Sequence, residues 1–355
     1  MEPRVTATNH DDTAAGMTDA DAGLDIDGFA QLVDGIRTQI ARVIVGQDEL
    51  VRTVLASLFV GGHVLLEGVP GLGKTLLLRT LADTLELQFT RVQCTPDLMP
   101  ADIVGTTVIG DADADGGGRF QPGPVFSQVL LADEINRASP KTQSALLEAM
   151  AEGSVTVGGV TRRLPLPFFV MATQNPIEME GTYPLPEAQL DRFLTKLLVT
   201  LPPTGDLIAI LQRTTGVGVS SADPVAGAAQ VRAAGALVRS MPIAEHVLRH
   251  TVDLIQATHP GAEAAPEAVR RYVAYGASPR GAQALVLLGK ASALLDGRTA
   301  VAIDDIRAAA HPCLRHRVVV GYEALAADVD TDQILDALLD AVPAPRPPVR
   351  GAGVP

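Results

Sequence analysis

Residues 63–85 read HVLLEGVPGLGKTLLLRTLADTL. The apolar residues after His63 suit a short buried strand, and the leucines from Leu76 onward sit at helical spacing. Between them GVPGLGKT, residues 68–75, carries three glycines that let the backbone turn sharply with its N–H groups pointing inward. A helix opening near Lys74 adds the positive end of its dipole. Strand, glycine-rich turn and helix in this order form an anion cradle. Lys74 reaches the outer phosphates of a nucleotide as a point charge, and the Thr75 hydroxyl is placed to coordinate Mg2+.

Further along, short apolar runs alternate with helical stretches: QFTRVQ, VLLADE, TQSALLEAM, FFVMATQNP and TKLLVTLP, all between residues 88 and 202. Such alternation predicts an α/β fold with a parallel sheet covered by helices. Ligands of these sheets bind at the carboxyl ends of the strands, where two runs end in polar residues. VLLADE stops on Asp133 and Glu134. One acid satisfies a metal's water shell, so Asp133 is read as the metal residue and Glu134 as the group that polarises an attacking water. Two acids opening a helix would look the same in isolation; the cradle decides for catalysis. FFVMATQNP places Asn175 at a neighbouring strand tip, within reach of the outer phosphate or the water, with Thr173 and Gln174 as weaker candidates.

Composition narrows the class. The 355 residues are 47% hydrophobic and 19% charged, as in a soluble globular protein of two ordinary domains. Lys and Arg total 28 against 41 acids, a net charge of −13, and residues 1–27 hold seven acids with Arg4 as their one cation. An acidic chain with 3% aromatics and no Trp lacks the basic stripe and stacking residues of a nucleic-acid binder. Two separated cysteines, Cys94 and Cys313, suggest neither a disulfide framework nor a zinc site. No signal peptide or membrane-spanning run is visible, so the expected location is cytoplasmic.

The expected organisation is a disordered acidic tail over 1–27, a nucleotide-binding domain over 28–203, a helical second domain over 204–342, and a Pro-rich tail over 343–355. Helices are expected over 29–40, 49–59, 206–213, 228–239, 243–258 and 282–295, with RVIVGQ extended. Two hairpins are expected, one with its Gly- and Asp-rich tip at 111–118 and one turning at Gly158 and Gly159.

GVPGLGKT, LLADEINRASPKTQSALLEAM, ATQNPIEMEGTYPLPEAQLDRF and GASPRGA, in that order, resemble the MoxR family of AAA+ ATPases. The resemblance covers about residues 35–320. It implies an αβα P-loop NTPase domain followed by a small all-helical lid, ATP and Mg2+ as cofactors, and a homo-oligomeric ring, usually hexameric, with ATP between subunits. It places Gly68, Val69, Pro70, Gly71, Leu72, Gly73, Lys74, Thr75 and Leu76 around the phosphates. Val45 and Gly46 correspond to the adenine pocket, Asn175 to the first sensor, Arg192 to an arginine finger offered to a neighbour, and Arg280 to a second sensor contacting phosphate from the lid. The two hairpins resemble the family's inserts.

The implied activity is ATP-driven, chaperone-like remodelling of a protein client, in company with a protein bearing a von Willebrand factor A (VWA) domain. The readings left open beside it are a metal-chelatase-like motor subunit, a DNA-acting motor, and a nucleotide-gated scaffold that hydrolyses little. Arg137, Arg162 and Arg163 are further residues that could face a neighbour.

Overall fold

The computed structural model describes residues 24–108, 118–176, 181–216 and 220–344. Helix α1 (Ile26–Val43) begins inside the stretch expected as tail, because the Asp25 side chain accepts from the Gly28 amide and caps it. Residues 1–23 of the expected acidic tail, the 343–355 tail beyond residue 344, and most of the 111–118 hairpin tip lie outside the described residues. Phe29, Val33, Ile36 and Ile40 form the buried face of α1 at the expected spacing. RVIVGQ is less extended than its composition suggests. Arg42 and Val43 finish α1, and the chain then turns through left-handed Gly46 and Gln47 (φ 64° and 59°) into α2 (Asp48–Val60).

Five parallel strands follow, interleaved with helices and inserts: β1 (Val64–Glu67), α3 (Lys74–Thr84), β2 (Phe89–Gln93), α4 (Pro100–Val104), β3 (Gly105–Val108), β4 (Arg119–Pro122), β5 (Val129–Asp133), α5 (Pro140–Glu152), β6 (Ser154–Val157), β7 (Val160–Arg163), β8 (Phe169–Gln174), α6 (Glu187–Leu190) and β9 (Thr195–Leu198). The sheet order is β2-β5-β8-β1-β9, every pairing parallel. The central strands β1, β5 and β8 are buried along their length and emerge only at Glu67, Asp133 and Gln174. Apolar runs ending in polar tips are thus strands covered on both faces whose carboxyl ends reach one solvent-lined edge.

The inserts are the antiparallel pairs β3–β4 and β6–β7. Gly158 and Gly159 both take positive φ (61° and 77°), the geometry of a tight two-residue hairpin turn. The hairpins touch. The Arg162 guanidinium lies 3.9 Å over the Phe120 ring while donating to the carbonyls of Val157 and Val160.

Beyond β9 the chain is helical: α7 (Thr204–Thr214), α8 (Ala228–Ser240), α9 (Glu245–Ala257), α10 (Glu267–Tyr272), α11 (Pro279–Leu295), α12 (Ile303–Ala308), α13 (Ala310–Leu314), α14 (Tyr322–Ala326) and α15 (Thr331–Ala341). It departs from an all-helical lid in one detail: β10 (Val273–Tyr275) pairs antiparallel with β11 (Val319–Val320). Helices α8 and α11 pack on α2, so one hydrophobic core runs from the sheet into the helical region. No described helix is long and apolar enough to cross a membrane.

Candidate nucleotide site

The glycine-rich turn joins β1 to α3 at the polar edge of the sheet. Gly71 and Gly73 adopt φ of 86° and 79°, which side chains other than glycine rarely tolerate. At Gly68 the constraint is space: a Cβ there would lie 2.6 Å from the Val199 carbonyl oxygen. The Lys74 ammonium folds back to donate to the Gly68 carbonyl. Burial lowers its pKa, and the nearby carboxylates Asp133, Glu134 and Glu67 oppose that shift.

A cavity of about 370 Å3 opens above this turn, lined by Pro70, Gly71, Gly73, Lys74, Thr75, Leu76, Arg91, Gln93, Asp133, Glu134, Thr173 and Asn175. This cavity thus brings together Lys74, Thr75, Asp133, Glu134 and Asn175. It shares Gly71, Gly73 and Leu76 with a second, more apolar cavity of about 320 Å3 bounded by Val43, Ile44, Val45, Gln47, Leu72, Leu201, Pro202 and the inner face of α7. A polar chamber joined to an apolar one suits a phosphate chain joined to a purine. Val45 lines the second chamber. Gly46, between the lining residues Val45 and Gln47, lets α7 approach closely, since a Cβ there would meet the Asp206 carboxylate at 2.1 Å.

The two acids at the tip of β5 are held differently. Asp133 Oδ1 accepts from the Thr173 hydroxyl at 2.5 Å, and its Oδ2 accepts from Arg91 Nη2 at 2.6 Å and Nε at 3.1 Å. Glu134 takes a left-handed backbone (φ 55°) that carries it out of the strand. Its amide donates to the same Thr173 oxygen at 2.8 Å, and its Oε2 accepts from Gln93 at 2.9 Å and Arg137 at 3.2 Å. A carboxylate and the Thr75 hydroxyl on one chamber are the hard oxygen donors that Mg2+ prefers, so the residues present fit that ion. Arg91, Gln93 and the bridging role of Thr173 are additions to the sequence reading. Arg91 and Gln93 did carry a signal, alternating along the strand that pairs with VLLAD.

Arg192 and Arg280 come together elsewhere. Both line a cavity of about 290 Å3 with Gly62 and His63, at the end of the sheet where β1 begins. The phosphate cradle follows the other end of β1, roughly 13 Å away for four residues of strand. The Arg280 guanidinium lies 3.6 Å from Asp191, and Arg192 donates to the Leu147 carbonyl at 2.8 Å. Within one chain Arg280, expected as a second sensor contacting phosphate from the lid, thus stands apart from the cradle.

The chain matches the profile of the ATPase family associated with various cellular activities (AAA) over residues 63–195, and that of the AAA lid domain over 265–338. It is 42% identical over 328 residues to chaperone MoxR1 of Mycobacterium tuberculosis, covering 89% of this chain and 84% of that protein. The protein belongs to the MoxR family of AAA ATPases. Protein MoxR of Methylorubrum extorquens is 34% identical, with 86% of this chain and 93% of that protein covered. A solved structure from Cytophaga hutchinsonii superposes with a TM-score of 0.84 at 38% identity, over 90% of this chain and 97% of the other. The MoxR chain thus has the parallel α/β domain and helical lid that its motifs implied.

Proposed function

We propose that this MoxR-family protein binds and hydrolyses ATP with Mg2+ in a closed homo-oligomeric ring, and uses the turnover to remodel a protein client. The observation that carries the chemistry is the placement of Glu134. It projects from the tip of a buried strand into the chamber that holds Lys74 and Asn175, beside an acid whose carboxylate has different side-chain partners. In this reading the cradle amides and Lys74 hold the phosphates, and Val45 and the α7 face hold the base. Thr75 and Asp133 hold Mg2+, which when bound neutralises charge on the phosphate oxygens. Glu134 takes the proton of the attacking water, and Asn175 orients that water or the outer phosphate. Arg192 and Arg280, at the far edge of the sheet, serve the site of an adjacent copy, where a guanidinium stabilises developing charge.

The client reading draws on the relative named a chaperone. A VWA-domain protein is proposed as the partner and the cytoplasm as the compartment. The Glu134→Gln protein tests the chemistry: it should keep ATP affinity while turnover falls by on the order of 10²-fold or more. Parental turnover in that protein would remove Glu134 from the mechanism. The same variant, held in ATP, is the bait whose co-purifying proteins test the client and partner.

A further inference from the structure

The pairing of Arg192 with Arg280 needs something to hold one on the core and the other on the lid in register. Three consecutive lid residues do this. After α13 the chain reads Arg315, His316, Arg317, and all three side chains reach β9 or the segment that leads into it. The Arg317 side chain is 3% exposed, and its guanidinium uses every one of its five N–H donors. Nε donates to Asp191 Oδ1 at 2.7 Å. Nη2 donates to the carbonyls of Asp191 at 3.1 Å and Phe193 at 2.6 Å, and Nη1 to those of Leu194 at 3.0 Å and Cys313. His316 bonds the Phe193 carbonyl at 3.0 Å, and burial, with Arg317 second, holds its pKa well below the ordinary value, so it is a neutral donor there. Arg315, paired with Asp332, reaches the Lys196 carbonyl at 3.3 Å.

The acceptors of Arg317 on this segment come from Asp191, Phe193 and Leu194, which bracket Arg192. Asp191 is also the acid shared with Arg280, and its Oδ2 accepts from Ser278, whose Oγ in turn caps α11 at the Arg280 amide. One carboxylate thus joins the buried arginine, the segment carrying Arg192 and the helix start carrying Arg280.

We infer that Arg317 is a positioning residue for catalysis at the adjacent subunit: it fixes the Arg192 segment, and through Asp191 the Arg280 helix, in the geometry that presents both to a neighbour's nucleotide. The inference rests on the proposal that Arg192 and Arg280 act in trans. Lysine cannot replace Arg317, because three donors on one point cannot span the acceptors that a planar fork reaches. A misplacement of about 1 Å at a reacting centre lowers rate by on the order of 10²-fold.

Directional mixing tests it. Arg317→Lys rings should lose on the order of 10²-fold in kcat, with KM for ATP unchanged within about twofold, because the nucleotide chamber is remote. Mixed with Lys74→Ala protein, which binds no ATP but keeps its arginines, the Arg317→Lys subunits should regain turnover at their own nucleotide sites. A control mixture of Lys74→Ala with Arg192→Ala must recover turnover as well; its failure despite co-assembly overturns the trans reading itself. If the control recovers and the Arg317→Lys mixture does not, or if Arg317→Lys rings turn over like the parent, Arg317 is only a structural tie and the inference is wrong. Asp191→Asn, nearly isosteric and milder toward folding, carries the same directional test if Arg317→Lys melts early.

Discussion

Arg91 grips Asp133 through two nitrogens on a single carboxylate oxygen, at 2.6 and 3.1 Å, from the edge strand of the sheet. The residue proposed for the metal is thereby already paired with a cation of its own chain. Arg91→Ala should free that oxygen and strengthen divalent-ion binding to nucleotide-free protein by about three- to fivefold, the range expected for a half-exposed ion pair. Mn2+ binding followed by electron paramagnetic resonance reads this directly, and equal affinity in parent and variant would refute it.

Thr173 ties the two acids together, donating to Asp133 and accepting from the Glu134 amide. Thr173→Val removes both bonds at nearly constant volume. It should cost about 1–3 kcal/mol of stability by leaving a half-buried amide without its partner, and lower kcat by tenfold or more. Thr173→Ser, which keeps the hydroxyl, should recover most of the rate. Steady-state turnover and urea titrations of the two variants check the prediction.

Gly46→Ala meets two obstacles, a left-handed φ of 64° and the Asp206 carboxylate at 2.1 Å from the new methyl. Strain of about 1–3 kcal/mol is expected, relieved by a shift of α7 away from the apolar chamber. ATP affinity should fall by roughly tenfold while the phosphate-side geometry is kept. Titration with ATP and with inorganic triphosphate separates the two effects, since triphosphate affinity should hold.

Burial lowers the pKa of His63 to about 4, against an ordinary 6.5, although the Met150 carbonyl accepting its proton works the other way. Val170 N–H donates to the other ring nitrogen, which fixes the neutral form. The unfolded chain binds a proton here between pH 6.5 and 4 and the folded chain does not. The contribution of His63 is therefore complete above pH 6.5 and is lost as the pH falls toward 4, by roughly 3 kcal/mol in all. Urea unfolding at pH 7.5, 6 and 4.5 should show the decline, and His63→Gln should flatten it.

The phosphate side of the site was legible because it is local chemistry. GVPGLGKT fixes its own backbone, and apolar runs that stop on Asp133 or just before Asn175 announce strand tips. Helices α7, α8, α9 and α11 of the second domain were legible from spacing alone, within a few residues at their ends, whereas α10 and α12 to α15 were not named. What the sequence concealed is contact at long range. Nothing around Arg317 marks it as the partner of a segment more than a hundred residues earlier, and an arginine after an apolar helix looks like surface. The placement of Arg280 was concealed for the same reason: its motif specifies a helix start, whereas the packing of α11 on α2 decides which end of the sheet that start faces.

The contact of Arg162 with Phe120 joins the two inserts into one body. That body is wired to the sheet at more than one point: β6 continues from α5, the helix that follows Glu134, and β7 runs on into β8, which ends beside Asn175. In the proposed ATPase a load applied at the hairpins would reach the segments that present Glu134 and Asn175 to the polar chamber. The pair would then work as a lever with a forked foot, and cutting it at Phe120 would leave each tine to carry its share alone.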